Sequence, residues 1–185
     1  MEKNKNQKYT TDWLIAQENA DYLFFWGHQP SKDGSIIKTC MSQWWPAQFQ
    51  EDGVLYRTAE HYMMIQKAKL FDDQEILLKM LQKVAPKDVK DLGRQIRNFD
   101  PEIWDKHKFR IVKQGNYLKF SQDEQLKQFL LQTKNKVLVE ASPVDPVWGI
   151  GLAEDAPNAL NPKEWRGENL LGFALMEVRD ELSGH

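Results

Sequence analysis

Apolar residues recur at two different spacings along this chain, and the changeovers between them mark out its elements. Tyr22-Leu-Phe-Phe-Trp26 is a dense aromatic run with strand propensity, closed by Gly27-His28-Gln29-Pro30. Lys32-Asp-Gly-Ser35 has the composition of a hairpin turn, so Ile36-Ile37 is expected to begin a return strand. Ser42-Gln-Trp-Trp-Pro46 reads as a loop or a single turn, Asp52-Gly53 as a second tight turn, and Val54-Leu-Tyr56 as a short strand. From Thr58, a good N-cap, the spacing becomes helical and runs through Ala68. Apolar positions 76, 77, 80, 81 and 84 predict an amphipathic helix over 72–84. A short helix is expected from Pro86 to Gly93, and another opens at Asp100-Pro-Glu, with Gly115-Asn116 interrupting or ending it. Leu126, Phe129 and Leu130 carry a helix from Asp123 to Leu131, and Val137-Leu-Val-Glu140 reads as a buried strand. Asn169 to Leu182 is the last helix, with Leu171, Ala174, Leu175, Val178 and Leu182 facing inward.

The elements add up to a mainly α protein (α+β with a minor small sheet). At 185 residues one substantial core is expected, as a single domain over 20–185 behind a flexible segment of 1–19. Hydrophobic residues at 41% and charged ones at 28% are ordinary for a soluble globular protein. A net charge of −2 gives no general attraction to nucleic acid or anionic membranes. Cys40 stands alone, so no internal disulfide forms and a reducing compartment is favoured. The polar start of the chain lacks a signal-peptide core, and no run approaches the ~18 apolar residues of a membrane span. A cytoplasmic protein with no membrane association is the expectation. The seven tryptophans exceed what such a core requires, and several stand beside Gly, His or Pro in loops.

The helix from Thr58 holds the first candidate chemistry. At 3.6 residues per turn Glu60 and Lys67 lie along one face, about two turns apart, among Tyr62, Met63, Met64, Ile65 and Ala68. A partly buried acid and amine need partners: each other, as a structural ion pair, or a substrate. His28 and His61 lack the second His or Cys cluster that a metal requires, so neither a metal nor a cofactor is expected. Gly149-Ile-Gly151 is too short for a dinucleotide fingerprint. The segment from Ala141 to Gly151 is nonetheless dense in proline and glycine, and it offers Asp145 three residues before Trp148. A rigid loop with one carboxylate and one aromatic plate suits a flat ring carrying charge beside it; the plainer alternative is a loop plugged into the core by Trp148. Asn169 is either an N-cap or a ribose contact, and Arg94 either a helix-end cation or a phosphate contact.

Several stretches, taken in order, carry a resemblance: Phe24-Phe-Trp-Gly-His28, Ser42-Gln-Trp-Trp45, Thr58-Ala-Glu-His-Tyr-Met-Met64, Lys67-Ala68, Leu92-Gly-Arg94, Lys119-Phe-Ser-Gln122, Leu138-Val-Glu-Ala-Ser142, Asp145, Trp148-Gly-Ile-Gly151 and Asn169-Leu-Leu-Gly172. From about residue 20 to 182 the chain resembles the NADAR (NAD and ADP-ribose) family, the YbiA-like proteins, departing from its pattern at Thr133-Lys134, where Thr-Gly is expected. The resemblance implies a YbiA-like fold and cleavage of an N-glycosidic bond between ribose C1 and an exocyclic nitrogen. It implies two substrate types: ADP-ribose on the amino group of guanine in nucleic acid, and ribosylamino-pyrimidine phosphates of riboflavin synthesis. The expected partner is thus a small nucleotide-like substrate, with transient contact with ADP-ribosylated DNA or RNA. Glu60, Lys67 and Asp145 are the expected catalytic residues, and Trp26, Gly27, His28, Trp44, Arg94, Trp148, Gly149 and Asn169 the expected substrate-binding ones. Either carboxylate can serve as acid or base, and Lys67 as electrostatic cation or as nucleophile. The competing class is a non-catalytic module that binds ADP-ribose or a related nucleotide. Neither the oligomeric state nor the choice of substrate is legible.

Overall fold

The computed structural model describes residues 7–184. In chain order they form α1 (Thr11–Ile15), β1 (Tyr22–Phe25), a 3-10 turn (Lys38–Met41), β2 (Phe49–Glu51), β3 (Val54–Tyr56), α2 (Ala59–Leu70), α3 (Gln74–Leu81), α4 (Pro86–Gly93), α5 (Pro101–Ser121), α6 (Glu124–Gln132), β4 (Val137–Glu140), a second 3-10 turn (Pro162–Glu164) and α7 (Leu170–Ser183). The mainly α expectation holds, with the strands in two separate two-stranded sheets. Two compact units result. One comprises the chain up to Ser42 and from Glu124 onward, and the other runs from Gln43 to Asp123.

The first unit is organised by β4, whose Val137, Leu138 and Val139 are all buried. It pairs in parallel with β1, Tyr22 opposite Val137 and Phe25 opposite Glu140. The hairpin expected at Lys32–Ser35 therefore does not form, and Ile36-Ile37 are not a strand. The turn satisfies itself: Ser31 Oγ and the Ser35 backbone N–H both donate to Asp33 Oδ1, at 2.6 and 3.0 Å, in a solvated loop. β1 finds its partner where apolar surface is available on both strands. Helix α7 packs on β4 with every residue from Leu170 to Arg179 buried, a wider face than the inward stripe predicted. Of the segment 1–19, residues 1–6 lie outside the described residues. Residues 7–19 contain α1, capped by Thr10, with Leu14 buried and the Tyr9 hydroxyl donating to Asp180 at 2.7 Å.

The second unit opens with the β2–β3 hairpin, turned by Asp52 and Gly53, both at positive φ (50° and 77°), the conformation a two-residue turn requires. Behind it Phe49 stacks on Tyr56, and Tyr62 meets Phe49 tilted and Tyr56 edge-on. The Thr58 hydroxyl caps α2 by accepting the His61 backbone N–H, and residues 59–65 are buried on all sides. Asp73 caps α3 in the same way. The break expected at Gly115-Asn116 is absent, since α5 continues to Ser121. Gly115 is there for packing: a Cβ would stand 2.6 Å from Cδ1 of Tyr62 on α2, so only glycine allows this approach.

Candidate functional site

In the second unit the first turn of α2 presents Glu60, only 2% exposed. Its backbone N–H is received by the carbonyl of Gln43 at 2.9 Å, which ties the preceding loop to the helix start. Two turns on, Lys67 is half-buried. Its ammonium donates to the Gly93 carbonyl at 3.0 Å and lies 4.2 Å from the Phe99 ring centroid and 5.4 Å from that of Trp104. These partners are a dipole and two π faces, and burial lowers the pKa of the amine below its ordinary value. His61 is buried with Nδ1 2.8 Å from the Thr58 hydroxyl, and burial likewise lowers its pKa. Trp44 is half-buried with the Lys90 ammonium 5.7 Å from its ring. Arg94 is solvated and pairs with Asp91 at 2.9 Å, which is the helix-end arrangement.

Three buried polar side chains of this unit escaped the sequence reading. Asn116 and Lys119 lie one turn apart on α5, 0% and 1% exposed, and Gln43 is 7% exposed. Asn116 Nδ2 donates to Gln43 Oε1 at 2.7 Å and to the Val112 carbonyl at 2.9 Å. The signal that could have revealed them is their position: an amide and an amine at i and i+3 on one face of a helix.

In the first unit the Pro/Gly-rich loop is held by its own acid. Asp145 Oδ1 accepts the backbone N–H groups of Val147 and Trp148 at 2.9 and 2.8 Å, closing a tight turn. One carboxylate oxygen is committed to the backbone, which fixes where the other points. Gly149 passes so close to β4 that a Cβ would stand 2.8 Å from the Glu140 carbonyl. Trp148 is half-buried, and it is Ile150, at 0% exposure, that plugs the loop into the core. Asn169 sits at the head of α7 with φ 55° and makes no side-chain cap. Its amide instead spans β4, accepting from the Glu140 N–H and donating to the Leu138 carbonyl, both at 3.0 Å. Trp26 is 55% exposed at the end of β1, followed by Gly27 at φ 79°. His28 Nε2 stands 3.3 Å from Gln29 Nε2.

Trp26, Gly27, His28, Asp145, Trp148, Gly149 and Asn169 thus belong to the first unit, and Trp44, Glu60, Lys67 and Arg94 to the second. A groove of about 340 Å³ on the first unit, lined by Gln17, Glu18, Asn19, Asn161 and Lys163 among others, includes none of them. Among the described residues no cluster of three His, Cys, Asp or Glu is arranged to hold a metal ion. Nor is any described helix long and apolar enough to cross a membrane.

Comparison with known proteins places these features in context. The model of the NADAR domain matches residues 24–183. The chain is 45% identical over 169 residues to N-glycosidase R617 of Acanthamoeba polyphaga mimivirus, covering 89% of this chain and 98% of that protein. It is 31% identical over 140 residues to the chloroplastic riboflavin biosynthesis protein PYRR of Zea mays, covering 72% of this chain and 21% of that one. The NMR structure of the E. coli protein YbiA superposes with a TM-score of 0.71 at 24% identity, covering 90% of this chain and 88% of the other. That likeness fixes the fold.

Proposed function

The chain belongs to the NADAR family, and from that premise we propose that it is an N-glycosidase that hydrolyses the bond between ribose C1 and an exocyclic nitrogen of a flat heterocycle. The observation that carries this reading is Glu60: a carboxylate 2% exposed, at the first turn of a helix whose residues 59–65 are all buried. A carboxylate so deeply buried is costly, and active sites are where such groups are retained. The relative at 45% identity bears the name N-glycosidase.

In the reaction the C1–N bond breaks, the oxygen of water bonds to C1, and a proton goes to the departing amine. Glu60 or Asp145 stabilises the positive charge that develops on the sugar, activates the water or supplies that proton. Lys67, its pKa lowered by burial, acts as a cation or as an amine attacking C1. The flat base stacks on a tryptophan face, with exposed Trp26 and half-buried Trp44 and Trp148 as candidates. Gly27 and His28 in the first unit are candidates for sugar contacts, and Arg94 in the second, whose solvated guanidinium pairs with Asp91, is a candidate for a phosphate. Asn169 serves by positioning, since its amide is spent holding the loop's neighbour β4 to α7.

Two substrate types follow. ADP-ribose on the amino group of guanine carries the bond in question, and so do ribosylamino-pyrimidine phosphates, the type to which the similarity to PYRR points. Incubation with an ADP-ribosylated guanine oligonucleotide and, separately, with a ribosylamino-pyrimidine phosphate decides between them. Released ADP-ribose or ribose 5-phosphate is the expected result. Binding of ADP-ribose with no release from either substrate would instead make the protein a reader.

A further inference from the structure

The crossing of α2 and α5 holds two polar groups that nothing above accounts for. Asn116 follows Gly115, where a Cβ on α5 would stand 2.6 Å from the Tyr62 ring of α2. Both hydrogens of its amide nitrogen are used, one on the Val112 carbonyl and one on Gln43 Oε1. Because the Val112 carbonyl can only accept, the orientation of the Asn116 amide is fixed, and that of Gln43 follows from it. What is left over is one acceptor, Asn116 Oδ1, and one donor group, Gln43 Nε2. Both atoms are buried and neither has a hydrogen-bond partner among the described residues. Native interiors rarely leave such atoms unmatched, and here a donor and an acceptor are left on two amides 2.7 Å apart.

The chemistry of the pair selects its ligand. An anion is repelled by the Asn116 oxygen, and an ammonium by the Gln43 N–H groups. A neutral hydroxyl satisfies both at once, its oxygen accepting from Gln43 and its hydrogen going to Asn116. The pair is also wired to the proposed acid, for the Gln43 carbonyl receives the Glu60 backbone N–H at 2.9 Å.

We propose that Gln43 and Asn116 form a hydroxyl-binding pair at the start of α2, which takes a single hydroxyl oxygen either from the sugar of the substrate or from the water of hydrolysis. The inference rests on the N-glycosidase reading and adds to it the residues that recognise a hydroxyl. A buried donor built for an OH penalises a ligand that lacks it far more strongly than an apolar pocket would.

The test uses the full chain with a ribosylamine substrate and its 2-deoxy and 3-deoxy counterparts. If the oxygen is the sugar's, the wild type prefers the ribosyl compound to one deoxy counterpart by tenfold or more, and Gln43→Met abolishes the preference. If it is water's, Gln43→Met lowers kcat at least tenfold on all three compounds alike. Thermal melting checks that the variant folds. Independently of any variant, the side-chain amide NMR signals of Gln43 in the wild type are expected to shift when substrate analogue saturates the protein. An active wild type whose selectivity and rate are unchanged in Gln43→Met overturns the pair, as do Gln43 signals that stay in place at saturation. A wild type inert towards every ribosylamine fails at the earlier step, the N-glycosidase reading itself.

Discussion

Glu60 and Lys67 differ in what their burial costs and what removing them should do. Glu60→Gln keeps the shape and takes away the group that gives or takes a proton, so turnover should fall by about 10²–10⁴, the usual worth of a positioned acid or base, while the melting temperature holds. Steady-state rates and a thermal melt on one preparation check both. Lys67→Met should also lower turnover, yet leave the melting temperature unchanged or raised, because a half-buried ammonium held by a carbonyl and two rings is a strained way to fill space. The pH dependence has a definite sign. Its folded pKa is lowered by burial, so the unfolded chain binds more protons between that value and the ordinary 10.5. Wild-type stability should therefore rise with pH through this window, and the advantage of Lys67→Met should shrink over the same range in denaturant titrations. At this scale the sequence was informative where periodicity speaks: Glu60 and Lys67 fall on one face of a helix with Tyr62, Met63, Met64, Ile65 and Ala68 between and beside them. It was silent on Asn116, because an Asn after a Gly reads as a break, and on Gln43, whose role depends on a helix some seventy residues further on.

The elements show the same division between local and distant information. Caps, turns and helix starts were legible: Thr58, Asp52-Gly53, Pro86 and Asp100-Pro101 all do what their side chains and backbone preferences dictate. The parallel pairing of β1 with β4 was not, because register between distant strands leaves no mark in either one alone. Gly115 is a third case, a residue with poor helix propensity kept inside a long helix by what lies across from it. Gly115→Ala should gain about 1 kcal/mol of propensity and lose more to the Tyr62 ring. That ring has little room to move, since its hydroxyl bonds Glu51 at 2.9 Å and it meets the Tyr56 ring in a T-shaped contact with centroids 4.9 Å apart. A net loss of about 1–3 kcal/mol in urea unfolding is expected. An alanine variant as stable as the wild type would show that α2 and α5 separate easily.

At the scale of the whole molecule, Lys8 and Tyr9, far back in the sequence, are tied to the last helix. Leu14 is 1% exposed, the Lys8 backbone N–H donates to Glu177, and the Tyr9 hydroxyl donates to Asp180. Deleting residues 1–15 should lower the melting temperature by several degrees, since burying one leucine is worth about 1.5–3 kcal/mol by itself. A truncated chain that melts with the full-length protein would make this segment dispensable. The division into units has a further consequence. The segment from Gln43 to Asp123 is an insertion within the other unit, and β1 is synthesised long before β4 exists to pair with it. On the ribosome, the inserted unit emerges whole and can close at once, while Tyr22–Phe25 waits with its edge unmatched until Val137–Glu140 leaves the exit tunnel. The interval between those two events is when a nascent chain of this architecture is most exposed to mispairing with its neighbours on a polysome.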